Sequence, residues 1–427
     1  MSSNWLEARS AVNEALAGRQ TSKALRLLAP WLNGETAENQ AQNWSETFDL
    51  LARIAQVDFG EAIQTKAQAA SEQPDNSQVL YNLGYALIDA NRPDLAVAAL
   101  QRACERDPQE PEFLAELVAA LELQGRNQEA VQALEAASKL VESNTLLLYL
   151  RAFNALMVAD LETPQQLLPL LQQSEDDRYL FMARRIERML ARAKAVQQIS
   201  SLDHHDLRGW HFVLTGGLLL RLSTERSDGR YGATWDTPIR VKDSLQRLLA
   251  VLETWNISVP KVLFPSERNS EITGLAAAAL LDCEAATWYG EDEPGLLVVY
   301  DARNLIPELR NMLVHHRPLQ PLFIQAAEYT KEQPTAPDFL TYLYDRNTSP
   351  WGPGFTPDFQ LIDTNDFTPQ ELAQSVVTAE DDSSTDELSQ LLRFAEALKD
   401  LPPIAQPAAL LNEGQRERLW VGSPVHL

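Results

Sequence analysis

The residues of this chain whose types and spacing suit chemistry lie mostly in its second half. The segment Pro265-Ser266-Glu267-Arg268-Asn269-Ser270-Glu271 follows the apolar run KVLF and leads into an alanine-rich stretch. An arginine beside Ser and Asn caps at the start of a helix suits an anion, because unpaired backbone N–H groups and the positive end of the helix dipole converge there. Asp301 closes a second apolar run, GLLVVY. Ser266, Arg268, Asn269, Ser270 and Asp301 are therefore the candidate ligand-binding residues, for a phosphate or nucleotide. Other chemistry is less supported. His204, His205 and His211 cluster, and His315 and His316 form a second pair. Neither group has the spacing to acidic or Cys partners that three or four converging metal ligands require, so no metal is expected. Cys283 opens the apolar stretch CEAATW, where a thiol is normally buried and inert, so it is not read as a nucleophile. The stretch 227–240, SDGRYGATWDTPIR, lacks the spacing of a phosphate-binding glycine loop and reads as a loop or hairpin. No catalytic residue and no cofactor are assigned, and the balance leans away from an enzyme.

The elements that must position these residues follow from local patterns. KVLFPS (261–266), CEAATWY (283–289), GLLVVYD (295–301) and PLFIQAAEY (321–329) read as strands, separated by helices at 270–281 and 305–316. Upstream, GWHFVLTGGLLLRL reads as a strand or a helix, and SLQRLLAVLETW as a covering helix. Strands alternating with helices predict βαβ units and a mostly parallel sheet, an α/β domain over 201–346. Ligands of such sheets bind beyond the C-terminal strand ends, where 266–270 and Asp301 would lie. Over about residues 258–330, the order of strand, polar loop, Ala-rich helix, strand, and later a strand ending in Tyr300-Asp301 resembles the phosphoribosyltransferase core. The family carries paired acids and a Thr-Gly-rich phosphate cradle in its second loop. This chain has YDARNLIPEL there, with Asp301 matching one acid and no glycine cradle, so the resemblance implies the fold and not the transfer reaction.

The first half has a different organisation. Ser77 to Glu110 and the segment from Pro111 repeat with a period of 34 residues. Leu80, Leu83, Gly84, Leu87, Asn91, Ala96, Leu100, Ala103 and Pro108 in the first unit become Leu114, Leu117, Val118, Leu121, Gly125, Ala130, Leu134 and Ala137 in the second, with Glu142 where Pro108 closes the first. The pattern resembles the tetratricopeptide repeat, in which small residues admit a neighbouring helix and Gly or Asn makes the turn. Degenerate units precede it (Ala62, Ala69, Pro74) and continue after it (Leu148, Ala152, Ala155). Together they give an α-solenoid from about residue 5 to 196, within a helical domain over 1–200. The resemblance implies a concave groove lined by the first helix of each repeat. Carried over residue by residue, its positions are Gln78, Tyr81, Tyr85, Ile88 and Asp89; Glu112, Ala115, Ala119, Glu122 and Leu123; and Leu146, Tyr149, Phe153 and Leu156. Tyr81, Tyr85, Asp89, Glu112, Glu122, Tyr149 and Phe153 are the candidate partner-binding residues. Aromatic and acidic side chains together suit a protein segment carrying apolar residues and Lys or Arg. A carboxylate clamp is not expected, since Asn82 is its one plausible member.

Composition limits what remains. The chain has 427 residues, with 36 Lys and Arg against 60 Asp and Glu, a formal charge of −24. Such a field repels the phosphate backbone, so no nucleic-acid partner is expected. No apolar run approaches the ~20 residues of a spanning helix, and the polar start MSSNWLEARSAVNE is not a secretory signal, so a cytoplasmic protein without membrane insertion is expected. Two cysteines, Cys104 and Cys283, fit a reducing compartment. Residues 347–427 are expected to form an acidic linker with a short amphipathic helix and a Pro-rich tail. Between Asn347 and Leu392 there are nine acidic residues and no basic one.

Overall fold

A computed structural model describes residues 4–32, 43–203, 205–224, 229–331, 333, 335–351, 354–355, 361–362, 367–381 and 385–419. His204 and parts of the acidic stretch, including 382–384, lie outside the described residues. The chain divides into two compact units, Met1–Ile186 and Glu187–Leu427, and each is taken by itself.

The first unit is built from helix pairs: α1 (Trp5–Ala17) with α2 (Thr21–Leu32), α3 (Trp44–Asp58) with α4 (Glu61–Glu72), α5 (Ser77–Asp89) with α6 (Pro93–Arg106), and α7 (Pro111–Glu122) with α8 (Asn127–Ala136). The short α9 (Ser138–Glu142) follows, then α10 (Thr145–Met157) with α11 (Glu162–Leu171), and α12 (Asp177–Val196), which runs across the division. Starts and turns are written in the sequence. Asn4, Asn43, Asn76 and Asn144 each accept a hydrogen bond from a first-turn backbone N–H, which satisfies a donor that the helix leaves free. Asn91 (φ +57°) and Gly125 (φ +69°) make the left-handed turns between paired helices, at equivalent places in the two units. Gly84 lets α5 approach α6: a Cβ there would stand 2.4 Å from Leu100 Cγ. Leu80, Leu83, Leu87, Leu95 and Leu100 are fully buried at that contact, each contributing roughly 1.5–3 kcal/mol of apolar burial.

The second unit begins with α13 (Leu207–Thr215), so the stretch open to two readings starts as a helix. Gly216 (φ +74°) ends it and β1 (Leu218–Leu219) follows. Next come β2 (Tyr231–Trp235), α14 (Pro238–Thr254), β3 (Lys261–Phe264), α15 (Arg268–Leu281), β4 (Glu284–Thr287), β5 (Leu296–Val299), α16 (Pro307–Met312), β6 (Leu322–Glu328) and β7 (Phe339–Thr348). They form one seven-stranded sheet in the order β4, β3, β5, β6, β7, with β1 and β2 both on the far side of β7. Every pairing in it is parallel. The register, with Val299 opposite Ile324 and Glu328 opposite Tyr344, brings the C-terminal ends of β5, β6 and β7 to one edge. The chain steps from β3 to one side for β4 and returns to the other side for β5, so the order switches between β3 and β5. Leu263, Leu297, Val299, Leu322, Ile324 and Leu340 form the core on one face.

Two expectations are corrected. β7, which pairs with β6, β1 and β2, was not anticipated from the sequence. The segment beyond 347, expected as an acidic linker with a short amphipathic helix, contributes that helix as α18 (Thr385–Leu398) but also α17 (Pro369–Val377), and the two pack on α14 and α15. The reason is charge as well as apolar burial. Glu387 lies 3.3 Å from Arg247 and 3.7 Å from Arg208, both buried guanidiniums that need a carboxylate, and it also accepts from the Leu222 N–H at 2.8 Å. Asp381 pairs with Lys242 at 2.8 Å, and the Trp255 indole donates to the Ala395 carbonyl.

Candidate functional site

In the first unit, α5 and α7 bring the predicted groove residues together. The Tyr81 ring lies 6.2 Å from Tyr85, one turn along α5, and 5.0 Å from Phe113 on α7. Tyr85 is 46% exposed, and Asp89 and Glu112 are exposed. Glu116, one turn after Glu112 on the same face of α7, joins them although sequence reasoning did not single it out. Its i, i+4 spacing from Glu112 was the available signal. Burial raises the Glu116 carboxyl, and the charges of Asp89 and Glu112 raise it further. Burial likewise raises the Tyr81 hydroxyl, with Glu116 and Glu112 adding to it. Among the described residues no ion pair joins Asp89, Glu112 or Glu116 to a basic side chain. The patch is therefore a negative field next to exposed aromatic surface.

Three predicted groove residues are corrected, two on α10 of the next repeat and Glu122 at the end of α7. Tyr149 and Phe153 on α10 are buried, at 8% and 2% exposure. Arg185 covers them, donating to the Tyr149 hydroxyl at 3.0 Å with its guanidinium 5.2 Å from the Phe153 ring centre. Glu122 is half-buried and accepts from Asn154 Nδ2 at 2.5 Å, while Asn127 donates to Asn154 at 2.9 Å. Burial pushes the Glu122 carboxyl up to about 7, against the opposing pull of Asn154 and Arg185. Its charge faces an internal network.

In the second unit the predicted ligand residues do lie at the switch between β3 and β5, but protein groups occupy the positions an anion would take. Glu267, and not Ser or Asn, caps α15: its carboxylate accepts from the Asn269 N–H at 3.0 Å, the Ser270 N–H at 2.9 Å and the Ser270 hydroxyl at 2.7 Å. Ser270 is buried, and its oxygen accepts from the Tyr300 N–H. Arg268 donates to the Phe367 carbonyl at 3.2 Å, and Ser266 is exposed. Asp301 is buried and accepts from the Arg303 N–H and guanidinium and from the Tyr344 hydroxyl. Arg303 also pairs with Glu328.

Beside it lies a polar cluster that the sequence did not disclose. Asp236, just past β2, accepts from the Tyr300 hydroxyl at 3.1 Å and from Gln325 at 3.0 Å. Gln325 also reaches Ser244 and accepts from Thr341. Burial raises the Asp236 carboxyl despite these bonds. The carboxylates of Asp236, Asp301 and Glu328 thus each have a partner inside the domain, an arrangement that holds strand ends together. Cys283 is half-buried and burial raises its thiol, which suits an inert side chain. Among the described residues no group of three or more His, Cys, Asp and Glu is placed to hold a metal, and no helix is long and apolar enough to cross a membrane.

Comparison with known proteins bears on the first unit. Residues 51–111 and 81–145 match the tetratricopeptide repeat family model. Among solved structures, MamA AMB-1 is 22% identical over 41% of this chain and 96% of its own, with a TM-score of 0.25. MamA MSR-1 is 21% identical over 43% and 96%, with a TM-score of 0.23. YrrB, described as a TPR protein with an unusual peptide-binding site, is 16% identical over 46% and 93%, with a TM-score of 0.24. Curated proteins give no significant match. The assignment rests on the family model, the 34-residue period and the turns at Asn91 and Gly125, and these make residues 51–145 a run of tetratricopeptide repeats.

Proposed function

We propose that this chain is a non-enzymatic adaptor that binds a partner protein through the groove formed by α5 and α7. The bound segment carries apolar residues and Lys or Arg. The observation that carries this reading is Glu116, which faces the charges of Asp89 and Glu112 and with Glu112 lies beside Tyr81 next to the exposed Tyr85, with no basic partner for these three acids among the described residues. Holding the half-buried Glu116 carboxylate beside the charges of Asp89 and Glu112 costs stability, and a cationic segment would recover it on binding. Tyr85 supplies rigid contact area at low entropy cost. Recovery of partners on immobilised wild-type protein and on the Tyr81→Ala/Tyr85→Ala variant tests the reading. The same partners should be lost from the variant, and equal recovery would sink the proposal.

A further inference from the structure

The repeats carry a second concavity, on the opposite side of α7. Glu112 and Glu116 run along one face of that helix, whereas Leu114, Leu117 and Leu121 lie about half a turn away. These leucines floor a cavity of about 560 Å³ between α6 and α8, with Cys104 and Leu140 at its sides. That volume is in the range of about 300–1,000 Å³ typical of binding pockets. The break in the helix at Ala137, between α8 and α9, lies on its wall. Burial pushes the Cys104 thiol up to about 12, as a dry apolar floor requires. Glu105, Asp107 and Glu110 line the mouth. The basic side chains of α6 do not balance them: Arg102 and Arg106 both engage Asp75 instead. Glu129, also at the mouth, is held by Arg126 at 2.7 Å. Glu105 and Asp107 are exposed and form no ion pair among the described residues.

We propose that this cavity docks an amphipathic helix of a partner protein, whose apolar side chains enter between α6 and α8 and whose Lys or Arg side chains pair with Glu105, Asp107 and Glu110. Charge complementarity selects this occupant: the floor takes apolar side chains, and the unbalanced carboxylates at the mouth favour cations around them over anions. The site is separate from the α5–α7 groove, so one chain would hold two segments on opposite faces of the same helix.

Cys104 reports occupancy directly. In the full chain carrying Cys283→Ser, alkylation of Cys104 by N-ethylmaleimide is timed with and without a synthetic helical peptide bearing leucines at i, i+3, i+4 and i+7 flanked by lysines. A matched peptide with glutamates in place of the lysines is the control. The lysine peptide should slow alkylation roughly tenfold and the glutamate peptide should not, since like charges at the mouth oppose it. Glu105→Gln/Asp107→Asn should reduce the protection to less than roughly twofold, and Tyr81→Ala/Tyr85→Ala should leave it intact. Ala133→Trp, which fills the cavity, should abolish protection; should that variant fail to fold by circular dichroism, the exposed Glu105/Asp107 pair carries the test. Equal protection by both peptides, protection by neither, or its loss in the tyrosine variant would overturn the proposal. Because the readout is Cys104 itself, failure here leaves the groove's partner recovery untouched, and failure of the groove leaves this result standing.

Discussion

The groove of α5 and α7 and the C-terminal edge of the sheet are made from the same residue types, tyrosines and carboxylates, yet their electrostatics are opposite. At the sheet edge Asp301 has Arg303 and Tyr344, Glu328 has Arg303, and Asp236 has Tyr300 and Gln325. In the groove Glu116 faces Asp89 and Glu112, and Tyr81 faces Glu116 and Glu112. The difference teaches how to separate structural polar clusters from a surface of the kind proposed to take a partner: in the first, removing a carboxylate leaves buried donors without an acceptor, and in the second it relieves repulsion. The most direct way to break the contrast is Asp301→Ala, which leaves the Tyr344 hydroxyl without its buried acceptor and Arg303 with Glu328 alone. Urea unfolding of this variant should show a loss of about 3 kcal/mol. A change below about 0.5 kcal/mol, the scale of an ordinary surface substitution, would mean that the sheet edge is not held by this pairing.

How much of this was legible beforehand depends on whether the determining contact is local. The repeats were readable because close helix packing demands small or turn-forming residues at a fixed period, and Gly84, Ala96, Ala103 and the left-handed Asn91 and Gly125 record that demand in place. The strand at Leu296–Val299 and the helix at Arg268–Leu281 were readable for similar reasons. β7 was not: Phe339–Tyr344 is buried throughout and shows no alternation, and the strand continues into Asp345 and Arg346, which read as a loop. That Tyr81 and Tyr85 share a face of α5 was readable from helix spacing. The same spacing was misleading at Tyr149 and Phe153, which are buried because Arg185, more than thirty residues on, covers them. The loop 266–270 does follow β3 into α15, but nothing local said that Glu267 would turn back onto its own helix start.

That capping sharpens the contrast from the ligand side. Wild-type protein titrated with inorganic phosphate should show no thermal shift beyond about 1 °C, because the two N–H groups at the start of α15 are already bonded. A dose-dependent rise that Arg268→Ala removes would return the loop to consideration as a ligand site. In the groove the corresponding change is one of affinity. Tyr81→Ala/Tyr85→Ala should weaken a recovered partner roughly 100-fold, about 3 kcal/mol, as expected for two aromatic anchors. Titration calorimetry with that partner measures it, and a loss below about threefold would place the contact energy elsewhere.

Glu122 stands between the two regimes, carboxylate in type but turned inward. Its folded-state value near 7 lies above the ordinary 4.5. The folded protein therefore holds a proton that the unfolded chain has released, and stability falls as pH rises from about 4.5 to 7. Glu122→Gln removes the titration and keeps an amide able to bond Asn154. It should raise stability above pH 7 by roughly 2 kcal/mol and flatten the decline between those pH values. Unchanged melting curves at pH 5 and pH 8 would show that Glu122 is solvated like the groove acids.

The smallest effect is also the most discriminating. Glu116→Gln keeps the shape of the groove and deletes the carboxylate that faces both Asp89 and Glu112 and lies beside Tyr81. Because burial and like charges raise the folded-state carboxyl, its ionised form opposes folding, and the penalty grows as pH rises above the ordinary 4.5. Removing it should stabilise the protein at pH 7 by a few tenths of a kcal/mol, the size of an exposed charge pair with its sign reversed. The same substitution should weaken a basic partner several-fold and lower the salt dependence of its binding, since one fewer carboxylate attracts it. A surface acid with no role in recognition would give the first result without the second. A structural acid like Asp301 would reverse the first. The two measurements on one variant, denaturant unfolding and affinity across salt concentrations, therefore assign Glu116 to one class or the other.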